Sequence, residues 1–112
     1  MAVLSVGDVL SIMDGLDVPT AHLMWGDHKP PPLPYAVIVP HESRSAYADG
    51  HVLHRARRYD IELYSRLRDV PLELRVQRAL DEAECAYTSD VVVDEGNHFV
   101  LTYFSTTLTE EA

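Results

Sequence analysis

Arg58-Tyr59-Asp60-Ile61-Glu62-Leu63-Tyr64 is the stretch that decides the fold of this chain. In an extended strand, side chains alternate with a period of two. Tyr59, Ile61 and Leu63 therefore fall on one side, and Arg58, Asp60, Glu62 and Tyr64 on the other. A strand divided in this way belongs to a sheet with one face on a core and the other wet or against a partner. The extended pattern reaches back to His51, as one long strand or a bent pair, and on to about Ser65.

Downstream, Asp69 suits a helix cap and Pro71 fits only a first turn, so a helix is expected over about Val70–Glu84. Leu72, Val76, Ala79, Leu80 and Ala83 follow helical spacing, which leaves Glu73, Arg75, Gln77, Arg78, Asp81 and Glu82 exposed. Tyr87–Val93 and His98–Leu108 then read as a hairpin around Asp94-Glu95-Gly96-Asn97.

Upstream, Tyr35–Val39 is a short apolar strand stopped by Pro40. A polar segment from His41 to Gly50 follows and ends in the turn dipeptide Asp49-Gly50. Pro19–Trp25 reads as another strand, with Ala21, Leu23 and Trp25 on one face. Between these two strands, Gly26–Pro34 carries prolines at 30, 31, 32 and 34, which remove donors and favour polyproline geometry. The run reads as a stiff connector within one sheet; its other reading is a docking ligand for a proline-recognising module. Ser5 caps a short helix to Gly15, with Asp8 three residues on and Gly15 as a left-handed stop. Val6, Val9, Leu10 and Met13 form its apolar stripe. The order helix, strands, helix, hairpin predicts an α+β fold. Its form is a mostly antiparallel sheet of four to five strands with two helices packed on one face, in a single domain over residues 1–112.

Charge is segregated along the chain. Residues 1–41 carry four acids and one lysine, residues 42–80 eight arginines against six acids, and residues 81–112 eight acids with no lysine or arginine. The net charge of −9 argues against direct nucleic-acid binding, because phosphate contacts dominate that affinity. Basic and acidic faces on one subunit suit head-to-tail contacts between copies instead. No apolar run approaches the ~20 residues that cross a bilayer. Met1-Ala2-Val3-Leu4-Ser5 lacks the flank of a secretion signal, and the single cysteine, Cys85, reads as a buried apolar residue. These features point to the cytoplasm.

Site chemistry is sparse. His51 and His54 are three apart on a strand and point to opposite faces, while His22, His28, His41 and His98 lie on separate elements, so no metal is expected. Asp81, Glu82 and Glu84 read as a solvated helix flank, and Asp94 and Glu95 as turn residues. Ser43, Ser45 and His41 share a segment without an acid to orient a triad. No glycine-rich phosphate loop or nucleophile elbow occurs. The expectation is no enzyme, no cofactor and no membrane partner. The dense basic cluster is Arg55, Arg57 and Arg58; Arg55 and Arg57 share a strand parity, and with Tyr47 and Tyr64 they read as a protein interface, the other reading being a nucleic-acid contact.

One order of motifs carries a resemblance. Leu33-Pro34-Tyr35-Ala36-Val37-Ile38-Val39 precedes Tyr47-Ala48-Asp49-Gly50-His51-Val52. Then come Arg58-Tyr59-Asp60-Ile61-Glu62-Leu63-Tyr64-Ser65, a helix opened by Asp69 and Pro71, and a closing acidic strand and aromatic-rich strand. This series, over residues 33–108, resembles the tail-terminator (tail completion, or minor tail) proteins of long-tailed bacteriophages and prophages. The proline run at 30–34 and the basic stretch at 55–58 depart from the pattern. The resemblance implies a homo-oligomeric ring, commonly a hexamer, at the head-proximal end of the tail tube. That ring ends tube polymerisation, binds the tube protein and the head-completion or neck proteins, and lets genomic DNA pass through its lumen without specific binding. It places the chain in the virion tail or neck, assembled in the host cytoplasm. On this reading Tyr47, Asp49 and His51 of the 41–52 segment, with Arg55 and Arg57, contact a neighbour. A stopper adaptor of the same neck is the alternative, and a small ligand-binding module is a more remote one.

Overall fold

The computed structural model describes residues 4–23, 25, 29–48 and 51–109, with 42–48 and 51–55 described as backbone. In chain order the elements are α1 (Val6–Gly15), β1 (Thr20–His22), β2 (Tyr35–Ala48), β3 (His51–Ser65), α2 (Val70–Glu82), β4 (Thr88–Asp94) and β5 (Phe99–Thr109). The five strands form one sheet in the order β1-β2-β3-β5-β4. Every pairing is antiparallel except β1 with β2, which is parallel. The fold is the expected α+β, with both helices against the sheet.

The alternation in β3 sets the two faces. Tyr59, Ile61 and Leu63 turn to the core, where they meet Ala36 and Ile38 of β2, Phe104 and Leu108 of β5, Val9 and Met13 of α1, and Leu72, Val76 and Leu80 of α2. Tyr87 packs edge-on against Phe104, with ring centroids 5.8 Å apart. The opposite face carries Tyr35, Glu62, Tyr64 and Tyr103, and no helix covers it among the described residues.

Local signals act as read at both helix starts. Ser5 Oγ accepts from the Asp8 amide and the Asp8 carboxylate accepts from the Ser5 amide, a reciprocal cap. Asp69 caps α2 by accepting from the Leu72 amide. The stop of α1 differs from expectation. The left-handed residue is Asp17 (φ 59°) rather than Gly15, a position that the short polar side chain of aspartate tolerates. β1 is shorter than read, because Leu23 adopts φ 77° and breaks the alternation. Glu73 is buried rather than exposed. Arg68 Nη2 donates to its Oε1 at 3.5 Å and Arg68 Nε stands 3.4 Å from Oε2, an ion pair that leaves Oε2 without a hydrogen bond among the described residues. Cys85 is buried just after α2, with its sulfur 3.2 Å from Thr106 Oγ1.

The main correction concerns Pro40, which does not stop its strand: β2 continues to Ala48. Ala36 N–H donates to Pro19 and Ile38 C=O accepts from Leu23, so even-numbered residues of β2 face the β1 side. Pro40 shares that parity and lies beyond the last β1 partner, Ile38↔His22, so its missing N–H forfeits no ladder bond. A register shift between Pro40 and Ser43 follows at once. The polar segment from 41 to 48, expected to lie beyond the end of this strand, is therefore part of it.

β2 and β3 consequently outrun the sheet. Among the described residues β5 pairs with β3 from Ser65 as far as Ala56, whereas β2 stays paired with β3 to Ala48↔His51. Residues 44–48 and 51–55 form a two-stranded arm with no third strand among the described residues. The dimensions agree. A 112-residue domain has an expected radius of gyration of about 13 Å, against 14.8 Å here, and the longest extent is 51 Å against 32 and 23 Å.

Candidate functional site

Three surfaces lie outside the helix-packed core: the arm, the uncovered sheet face and the outer edge of β4. The arm carries most of the residues expected at an interface. Tyr47 pairs with Val52 and Ala48 with His51, so Tyr47 and His51 occupy its tip. Asp49 lies outside the described residues, as does the Asp49-Gly50 turn. Arg55 pairs with Ser45 midway along the arm, and Arg57 pairs with Ser43 at its root. No register shift separates 55 from 57, so the two positions keep the same strand parity. Arg57 Nη1 donates to the carbonyl of His41 at 2.8 Å, tying the root of the arm where β2 changes register.

A polar network sits beside that root on the uncovered face. Asp60 Oδ1 accepts from Ser105 Oγ at 2.5 Å, and its Oδ2 lies 2.8 Å from His41 Nε2. His41 thus has an acid partner after all, one that cross-strand pairing supplies and linear spacing conceals. Its chemistry is not that of a nucleophile triad. The carboxylate stands between serine and histidine, so the imidazole does not receive the serine proton. The trio instead ties β2, β3 and β5 together at one level of the sheet.

At the opposite end of this face, rings form a row across three strands. Trp25 meets Tyr35 at 5.9 Å, Tyr35 stacks on Tyr64 at 5.0 Å, and Tyr64 meets Phe99 at 5.1 Å. Tyr64 donates its hydroxyl to Glu62 Oε1 at 2.9 Å. Burial, with the Glu62 hydrogen bond and charge behind it, pushes the Tyr64 phenol well above its ordinary range. Burial also raises Tyr103, with Glu62, Asp60 and Asp90 adding to it. The row was not legible in sequence, because its members come from four separated segments.

The outer side of β4 is the third surface. β4 ends the strand order, and no strand pairs with its far side among the described residues. Val92 and Val93 are 45% and 63% exposed there. Asp90 Oδ1 accepts from the Val91 amide at 2.8 Å, so the edge holds one of its own amides. Asp94 accepts from the backbone and side-chain amides of Asn97, which hold its carboxyl below the usual range and close the β4–β5 turn.

Among the described residues no three His, Cys, Asp or Glu side chains come together as a metal site, and no helix is long and apolar enough to cross a membrane. No protein-family model matches the chain, and no curated protein matches it in sequence.

Proposed function

We propose that the chain is a structural protein of long-tailed bacteriophages, a tail-terminator subunit whose six copies close into a ring at the head-proximal end of the tail tube. The ring ends tube polymerisation, presents a surface to the neck proteins and becomes part of the virion. The observation that carries this reading is the arm. A two-stranded hairpin is marginal alone in water, and among the described residues no further strand pairs with either of its edges. A subunit that extends such an element away from its core is built to place it against another molecule.

Charge supports a second copy as that molecule. Arg44, Arg55, Arg57 and Arg58 belong to the arm and its root, while residues 81–112 carry eight acids and no lysine or arginine. Unlike patches on one subunit make a head-to-tail contact, which gives a ring when its rotation closes. Six copies at −9 each would surround a lumen through which DNA slides without sticking. The order of motifs along residues 33–108 supports the tail-terminator form of this ring.

Replacing Arg55 and Arg57 together with glutamate tests the reading. Native mass spectrometry should then lose the ring while far-ultraviolet circular dichroism stays unchanged. A ring that persists in the double variant refutes the role given to the arm.

A further inference from the structure

We infer that the arm of one subunit docks along the open edge of β4 on its neighbour, so that adjacent sheets join into one continuous sheet around the ring. This rests on the assembly reading above and adds to it the surface on which the arm lands.

Three observations lead there. The first is hydrogen-bonding capacity. Residues 51–55 of β3 pair with β2 alone among the described residues, so their other side offers a ladder of about the length that the seven-residue β4 can match. Strand addition of this kind takes its affinity from main-chain bonds. The second is the apolar character of that edge. Val92 and Val93 are large and exposed beside unpaired backbone, the combination that natural sheets blunt unless a partner covers it. The third is charge. Asp90 and Asp94 lie on β4 and Glu95 directly follows it, facing an arm that carries Arg44 and Arg55 with Arg57 at its root. Opposite charges of this density steer the encounter and suppress the alternative in which two β4 edges meet, because that would bring acid against acid.

Asp90 adds a guard. While its carboxylate holds the Val91 amide, part of the edge is occupied. An approaching arginine draws the carboxylate away and frees that amide for the incoming strand.

The test uses single-cysteine full chains in a Cys85→Ala background, two variants mixed and oxidised, each carrying a different mass tag. One set has cysteine at Val52, Leu53, His54 or Arg55, and the other at Asp90, Val91, Val92 or Val93. The expected result is a cross-linked heterodimer for the pairs in register, with the oligomer retained. An oligomer that forms but gives no arm-to-β4 link overturns this inference and leaves the ring standing. Links only between two β4 cysteines also overturn it, since they mark an edge-to-edge dimer. Absence of any oligomer in the parent chain and the variants alike sinks the ring reading, and this inference with it.

Discussion

Cutting the arm off separates the proposed role in assembly from any role in folding. Residues 45–55 are replaced by an Asn-Gly dipeptide, so that the paired residues Arg44 and Ala56 flank a two-residue hairpin turn. The excised stretch lies wholly beyond Ala56, where the described pairing of β3 with β5 ends. The ladder lost is that of an isolated hairpin, worth close to nothing by itself. Closing a loop of two residues instead of eleven recovers about 1.5 kcal/mol of chain entropy. The net change in stability should therefore stay within about 1.5 kcal/mol, a shift in melting temperature of at most about 10 °C. Thermal melts followed by circular dichroism give the first number, and sedimentation velocity gives the oligomeric state. The excised chain should melt cooperatively near the parent temperature and sediment only as a monomer. A loss of more than about 3 kcal/mol would show that the arm belongs to the folding unit. Retention of the oligomer would show that it is not the contact.

Two further outcomes follow from particular groups. Thr102 Oγ1 is buried with no hydrogen-bond partner among the described residues, so Thr102→Val should raise stability by about 1 kcal/mol in urea unfolding, and a comparable loss would reveal a hidden partner. The phenols of Tyr64, Tyr87 and Tyr103 are all raised. A raised folded value means stability that is complete below the unfolded value of about 10 and falls as pH climbs from there toward the folded one. Absorbance at alkaline pH should show part of the tyrosine signal titrating late, with Glu62→Gln bringing Tyr64 earlier but not to its ordinary value, because burial is the larger cause.

Much of the architecture was written in local chemistry. The Tyr59–Ile61–Leu63 alternation assigned the core face correctly, and Ser5 with Asp8, and Asp69 with Pro71, marked both helix starts. What stayed hidden depends on neighbours in space. Pro40 breaks a strand only where its N–H would have met a partner, and sequence does not say on which side β1 lies or where it ends. Residues 41–48 have little apolar periodicity, so the pattern did not mark them as strand. Glu73 looked solvated because its partner Arg68 precedes the helix, and the Ser105–Asp60–His41 network joins three strands distant in sequence. The positions expected at an interface are placed together by the register. Tyr47, His51, Arg55 and Arg57 do share one element, but that the element is a projecting hairpin appears only from the strand register.

Native mass spectrometry of the intact chain beside the arm-excised chain, across protein concentration, tests self-assembly through the arm most directly. A closed species of six copies for the intact chain, absent from the excised one, is the predicted result. Monomers in both preparations at every concentration, or the same oligomer in both, would contradict it.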